Sequence, residues 1–259
     1  MTLRAARKPL PRKPLDADLV ILAVRDRFLT PMAAELVARK LVPLKAVVVH
    51  VAGSLGPDAL APLRGHCAGI AQMHPMISFA DSGKPPSLAR GNLRVSGDPA
   101  AVKRATVLGK KFLGMTPREL PGVDPVGYHG TAAFVANGAA ALTALGAKLL
   151  EKAGVPANEA PRILGPLLRS VADNVELIGF PGALTGPVRR GESASVARHG
   201  EILTKALPEL APLYWALVGA QLPISAELGE APDDELRKIR ALVEGNAAAT
   251  RTRSAKVRR

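Results

Sequence analysis

Hydrophobic residues in the first half of the chain fall into short, nearly unbroken runs. Residues 19–24, 46–51 and 69–73 are mostly aliphatic, which is typical of parallel strands buried on both faces. Two weaker segments, 92–96 and 116–120, predict a fourth and a fifth strand. Helical spacing between the runs predicts helices at 30–40, 58–63 and 100–113. This alternation predicts an α/β Rossmann-like parallel sheet with right-handed crossovers.

The pattern changes after Pro121, and residues 122–245 predict an all-helical domain. The sequence Pro121-Gly122-Val123-Asp124 interrupts the pattern, so we place the domain boundary at 121–124. The predicted helices cover residues 128–154, 158–178, 193–206, 208–222 and 232–244.

The first of these helices has an unusual composition. Residues 127–147 contain no charged side chain and are mostly Ala or Gly. Exposed helices carry charge, so we expect a central helix of a soluble protein, with neighbouring helices packed closely around it. The same feature suggests a homodimer formed through the helices.

Composition and charge indicate a folded body with basic ends. The chain has 259 residues, of which 47% are hydrophobic and 22% charged, with a net charge of +13. Residues 1–14 and 247–259 each contribute five positive charges and no negative ones, so the body is nearly balanced. We expect residues 1–14 and the basic tail at 246–259 to be disordered, and to make only non-specific contacts with nucleic acid.

Cysteine usage and the N-terminus indicate a cytoplasmic protein without a membrane partner. Cys67 is the single cysteine, which excludes an intramolecular disulfide and fits a reducing compartment. Prolines follow the first basic residues, where a signal peptide would need an apolar run.

Candidate chemistry first appears where the predicted strands end, because open α/β sheets bind ligands at the carboxyl ends of their strands. Arg25 follows the first run, His50 and Gly53 end the second, and His74 precedes a proline at the end of the third. Either histidine could instead be a structural residue that bonds to a loop.

The central helix carries a second candidate group, His129 and Asn137. Eight residues are a little over two helical turns, so the two side chains lie on roughly the same side. An imidazole exchanges protons near pH 7, and an amide can orient a carbonyl. The alternative is a buried pair that bonds to neighbouring helices.

The loop Ala183–Gly191, ALTGPVRRG, is the third candidate. Thr185-Gly186 followed by Arg190 could bind an anionic group, and Asn174 and His199 on the flanking helices could point into the same space. The alternative is an interhelical turn. The sequence contains no metal-binding motif, P-loop or G-x-G-x-x-G.

These motifs together resemble one family, in which a Rossmann-like domain precedes a C-terminal helical domain of unknown function. The matching segments are DADLVILAVRD, VVVHVAG, MHPMISF, YHGTAAFVAN, ADNVELIG and ALTGPVRRGE. Its layout is similar to pyrroline-5-carboxylate reductase, ketopantoate reductase and 6-phosphogluconate dehydrogenase. The resemblance implies NADP or NAD bound at the sheet, a small substrate in a cleft between the domains, and a homodimer.

The chain departs from that family at its beginning. Members start with a strand, a glycine-rich turn and a helix that hold the pyrophosphate, whereas this sequence opens with MTLRAARKPLPRKPLDAD. A truncated sequence and a genuine loss of dinucleotide binding both explain the difference.

Our first functional hypothesis is an NAD(P)-dependent oxidoreductase that reduces a carbonyl or imine in a small anionic metabolite. His129 or His74 would supply the proton, with Asn137 beside them. Asn174, Thr185, Gly186, Arg190 and His199 would bind substrate; Val24, Arg25, His50 and Gly53 would line the cofactor. The alternative is a non-catalytic dimeric module that binds a ligand or a protein and has lost dinucleotide binding.

Overall fold

The computed structural model describes residues 9–257, with side chains described up to residue 248. Contacts divide the chain into two units, Met1–Ala139 and Ala140–Arg259. This division falls inside the central helix, beyond the predicted boundary at 121–124, because the first turns of that helix pack on the sheet.

The first unit is built on a five-stranded sheet in sequential order. Its strands are β1 (Leu19–Leu22), β2 (Val47–His50), β3 (Gly69–Pro75), β4 (Asn92–Gly97) and β5 (Thr116–Glu119). The expectation of parallel strands holds for three of the four pairings, but β3 and β4 are antiparallel. Residues 76–91 form no helix, so this connection lacks the crossover that parallel neighbours need.

Helices cover both faces of this sheet. They comprise α1 (Leu29–Ala38), a 3₁₀ segment (Pro57–Leu63) and α2 (Pro99–Val107), which ends in a π turn (Leu108–Phe112). Alternate residues of the strands feed two cores, so that Val48 and Ile70 pack with α1 while Val49 and Ala71 pack with α2. The strand β1 is less buried than predicted: Ile21 is exposed because β1 pairs with β2 alone among the described residues.

Both terminal segments differ from the prediction of disorder. Leu10 packs against the first core, and Arg39 donates a hydrogen bond to the carbonyl of Pro11 at 2.8 Å. The last helix, expected to end at Glu244, continues to Val257. The remaining predicted tail residues, 1–8 and 258–259, lie outside the described part of the chain.

The central helix runs from Pro125 to Lys152 and none of its most apolar stretch is buried. It comprises α3 (Pro125–Ala132), a π turn (Ala133–Asn137) and α4 (Gly138–Lys152). By length and composition this one helix could cross a membrane, which alone is weak evidence for a span. The expected close packing of neighbouring helices around it is therefore wrong for the single chain.

The second unit is helical, as predicted. After α4 it contains α5 (Ala160–Leu177), α6 (Ser193–Ala206), α7 (Ala211–Leu228) and α8 (Asp233–Val257). Its core joins the last three helices around Val196, Trp215 and Ile239. By contrast, Ala160 is the single buried residue of α5.

Candidate functional site

The register of the sheet places four polar side chains in one buried row. His50 is opposite Gln72 on β3, and His74 is opposite Arg94 on β4. Because side chains two residues apart on a strand share a face, all four project to the same side. Each is less than a tenth exposed. Val48 and Ile70 precede them on this face, which therefore changes from apolar to polar toward the ends of β2 and β3.

Three members of this row hold the loop that follows β2. Gln72 donates hydrogen bonds to the carbonyls of Ala52 and Gly53 at 2.8 and 3.1 Å. His50 Nε2 lies 3.0 Å from the carbonyl of Gly56. His74 Nδ1 lies 3.2 Å from the carbonyl oxygen of Val51, and since a carbonyl only accepts, Nδ1 carries the proton. The Nε2 atom of His74 is then the acceptor.

Arg94 is the fourth member and brings a positive charge into the site. Its Nη1 donates to Gln72 Oε1, and its Nη2 donates to the carbonyl of Val123 at 2.9 Å. The guanidinium carbon lies 5.5 Å from the centre of the Tyr128 ring, within range of a cation–π interaction. Arg94 thus connects the sheet to the start of α3.

Helix α3 covers the ends of His74 and Arg94. Asp124 caps it by accepting a hydrogen bond from the Gly127 amide at 2.7 Å, and Pro125 stands at the first turn. This start places the imidazole of His129 5.3 Å from that of His74, centre to centre. The His129 ring also lies against Gly53, where a Cβ atom would come within 2.1 Å of Nδ1. Only glycine at position 53 allows this approach.

Burial favours the neutral imidazoles of His50 and His74. Burial lowers the pKa of His74, the hydrogen bond to the Val51 carbonyl offsets part of this effect, and the neighbouring His129 and Arg94 lower the pKa further. Burial also lowers the pKa of His50 and raises the pKa of the Tyr128 phenol. At neutral pH, His74 therefore presents an unprotonated Nε2 that can accept a proton. This atom, His129 Nδ1 and Arg94 Nε are buried without a hydrogen-bond partner.

Asn137 does not accompany His129, contrary to the sequence prediction. His129 is half-buried on the sheet, whereas Asn137 is exposed. The π turn at Ala133–Asn137 separates them, and its i→i+5 bonds shift the angular register that regular α-helical spacing assumes. Asn137 is therefore not part of the catalytic group that we expected.

The predicted cofactor residues lie at the carboxyl ends of β1 and β2: Val24, Arg25 and Gly53 in the loops that follow, and His50 as the last residue of β2. Arg25 is exposed, and Val24 packs partly against the first core. Ser54 donates a hydrogen bond to Asp26 Oδ2 at 2.7 Å, which joins the two loops. His50 is fully buried, so it supports the loop containing Gly53 and has no surface of its own for a ligand.

The predicted substrate residues belong to the second unit. Arg189 fixes their loop, because it donates to the carbonyls of Gly182 and Leu184 and pairs with Glu230. Gly186 has a φ of 91°, in the left-handed region. Their exposure differs: Thr185 and His199 are exposed, and Asn174 is half-buried.

Arg190 is not the free anion-binding group that we predicted. Its Nε and Nη2 donate to the two carboxylate oxygens of Glu192 at 2.7 and 3.1 Å. A fork-to-fork pair of this kind uses the edge of the guanidinium that an anion would need. The structure therefore favours the interpretation of this segment as a rigid interhelical turn.

Two residues of the buried row, Gln72 and Arg94, were not predicted from the sequence as site residues. Each is a polar residue with an apolar neighbour on either side in its strand, Ala71 and Met73 or Leu93 and Val95. Such an interruption of a buried strand is the signal that could have identified them. Among the described residues, no group of three or more His, Cys, Asp or Glu side chains could hold a metal ion.

Comparisons with known proteins agree with this architecture. Residues 93–221 match a family model described as a domain of unknown function, DUF2520. The solved structure of protein TM1727 from Thermotoga maritima is similar, with 22% identity and a TM-score of 0.65 over 84% of this chain and 81% of that one. A structure named putative NADP oxidoreductase BF3122 from Bacteroides fragilis is also similar, with 22% identity and a TM-score of 0.58 over 79% of this chain and 75% of that one. At this identity they show the fold, a Rossmann-like sheet followed by a helical part. No curated protein matches the chain.

Proposed function

We propose that this chain, an α/β protein carrying a DUF2520 domain, is an NAD(P)-dependent oxidoreductase acting on a carbonyl or imine in a small anionic metabolite. The observation that carries the proposal is the pair of imidazoles formed by His74, near the carboxyl end of β3, and His129 on α3. Ligands of open α/β sheets bind at this edge. The similarity in fold to a protein named as an NADP oxidoreductase supports the same conclusion.

The group of side chains formed by the buried row and His129 fits the reactive end of a dinucleotide and its substrate. His74 Nε2 and His129 Nδ1 are buried polar atoms without partners, as expected where a carbonyl or hydroxyl oxygen of a ligand would bond. Gly53 permits close approach beside them. The described residues contain no glycine-rich turn leading into an α-helix, since the turn at 53–56 leads only into the 3₁₀ segment Pro57–Leu63, so this part of the chain offers no dedicated helix N-terminus for the pyrophosphate.

His74 would act as the general acid or base that donates or accepts the proton. A dinucleotide, when bound, would supply or accept the hydride at the substrate carbon. In the oxidative direction, His74 Nε2 accepts the proton that leaves the substrate hydroxyl or amine; in the reductive direction, the imidazolium returns it to the oxygen or nitrogen. Because the pKa of His74 is lowered, its protonated form is a stronger acid than an exposed imidazolium. His129, 5.3 Å away, is placed to contact the same substrate atom.

The test is a fluorescence titration with NADPH and with NADH, using the wild type, His74→Asn and His66→Asn. His66 is exposed and precedes β3, about 23 Å from the other end of that strand, so it is the matched control. We expect saturable binding in all three proteins, with turnover of candidate substrates lost in His74→Asn alone. Absence of saturable binding of either nucleotide, also in a chain extended upstream of Met1, contradicts the proposal.

A second function, a non-catalytic dimeric module, is favoured by the same lack of a pyrophosphate site. It predicts a ligand or protein partner whose binding does not depend on either nucleotide. Equal phenotypes of wild type and His74→Asn in a deletion strain would support this alternative.

We also propose that a second copy of the chain covers α5. Apolar residues recur along one side of this helix at Leu167, Val171, Val175 and Ile178, and all four are exposed. Half of each side chain is left to bury, which is worth roughly 1 kcal/mol per residue. Two copies contribute this area twice, roughly 8 kcal/mol in total, from which the cost of association must be subtracted.

Sedimentation equilibrium of Val171→Lys and Asp173→Lys tests this dimer, since Asp173 lies on the opposite side of α5. A dimer in the wild type and in Asp173→Lys, with a monomer in Val171→Lys, supports it. A monomeric wild type, or cosedimentation with lipid vesicles through the helix Pro125–Lys152, contradicts it.

A further inference from the structure

Arg94 is the one buried arginine among the residues whose side chains the structure describes. Arg64, Arg189 and Arg190 are paired with carboxylates although they lie near the surface. Arg94 is 4% exposed, and no carboxylate within the described part of the chain pairs with it. Its acceptors are an amide oxygen of Gln72 and the carbonyl of Val123.

A buried guanidinium without a counter-charge is costly. Removing an ion from water is unfavourable, and hydrogen bonds to neutral acceptors recover only part of that cost. Such a charge is kept in a fold where an anion offsets it. Two of the five N–H groups of Arg94 have named acceptors and Nε has none, so donors remain for an anion.

The neighbour of Arg94 suggests what kind of anion binds. His74 and Arg94 are opposite one another in the antiparallel pair β3–β4, and directly opposed side chains on one face begin about 5 Å apart. Each side chain carries an unpartnered buried nitrogen, Nε2 in His74 and Nε in Arg94. A ligand that meets both has an anionic group and, next to it, an oxygen or nitrogen that exchanges a proton.

We propose that Arg94 is the specificity-determining residue of this site and that its ligand is a small carboxylate with an adjacent carbonyl, hydroxyl or imine. The carboxylate lies on Arg94 and the adjacent group on His74; this assignment of the adjacent group rests on the proposed function. A planar carboxylate matches the guanidinium fork. The assignment replaces Arg190, whose fork is bound to Glu192.

Helix α3 covers this position in the structure. The Tyr128 ring faces the guanidinium and His129 lies on Gly53, and the unpartnered nitrogens have no access to solvent. A carboxylate therefore enters when the first turns of α3 move away from the sheet. Since Arg94 also bonds to Val123 beside this helix, ligand and helix compete for the same guanidinium.

The test measures anion binding to the full chain in the absence of nucleotide. Oxalate, acetate and inorganic phosphate are titrated at constant ionic strength, and the imidazole NMR signals of His74 and His129 are followed. The variants are Arg94→Met, Arg94→Lys and the control Arg190→Met. We expect saturable shifts with oxalate in wild type and Arg190→Met, at least about tenfold weaker binding in Arg94→Lys, and none in Arg94→Met.

Each other result overturns the assignment. Unchanged binding in Arg94→Met or Arg94→Lys removes Arg94, and loss in Arg190→Met restores the loop residue. Phosphate bound in preference to oxalate rejects a carboxylate ligand, and no saturable anion binding in wild type rejects the site. If Arg94→Met does not fold, the result from Arg94→Lys decides. Nucleotide binding is measured separately, so anion binding without NADPH binding contradicts the proposed function alone, and the reverse contradicts this inference alone.

Discussion

Gly53→Ala tests the contact between α3 and the sheet. The backbone of Gly53 does not have a positive φ, so alanine is compatible with it, but the added Cβ would lie 2.1 Å from His129 Nδ1 and 2.8 Å from two ring carbons. Ordinary contact begins at 3.4 Å, so the imidazole must move by more than 1 Å. Overpacking of this size costs about 1–3 kcal/mol, and we expect the lower half of that range because the half-buried ring can turn toward solvent.

Gly56→Ala is the matched control in the same loop. An added Cβ at Gly56 meets nothing within 4 Å, and this substitution is expected to stabilise by up to about 1 kcal/mol through the unfolded chain. Urea unfolding at one fixed protein concentration should therefore separate the two variants by about 2 kcal/mol. A displaced His129 should also reduce turnover on the order of a hundredfold. Equal stabilities and equal turnover in the two variants would refute the placement of His129 against the loop that follows β2.

Two further predictions concern the helical core and the pH dependence. Gly200→Ala would place Cβ 2.2 Å from Trp215 Cζ2 and should destabilise the protein by about 1–3 kcal/mol. The control Gly165→Ala, whose added Cβ meets nothing within 4 Å, should be neutral or stabilising. Equal stabilities of the two variants in urea unfolding would contradict the packing of α6 on α7. The pKa values of His50 and His74 are lowered in the folded state, so the unfolded chain binds protons first and stability should fall as the pH drops below about 6.5. Thermal unfolding between pH 8 and pH 5 checks this, and a midpoint unchanged in that range, or one that rises as the pH drops, would argue against two neutral buried imidazoles.

The strands could be predicted because each is a contiguous apolar run, and their positions agree with the structure within a few residues. The antiparallel return of β4 could not, since its direction depends on the absence of a helix in the loop at residues 76–91. Likewise, nothing in the composition of α4 and α5 shows whether their apolar faces are covered by the same chain.

The site was predictable in part for a similar reason. His50 and His74 end apolar runs, so the sheet brings them to one edge, and His129 stands at the start of a helix with a clear N-terminal signal. The role of Arg94 depends on cross-strand register, which the sequence does not state. Asn137 was misplaced because a π turn interrupts the spacing that the prediction assumed.

The most direct test of the account follows the histidine side chains by NMR during a titration with NADPH. The imidazole signals of His74 and His129 should shift together and saturate, while that of His66, at the opposite end of β3, should stay in place. Signals of His74 and His129 that do not move at any NADPH concentration, or that move only as much as His66, would contradict an oxidoreductase site at the ends of these strands.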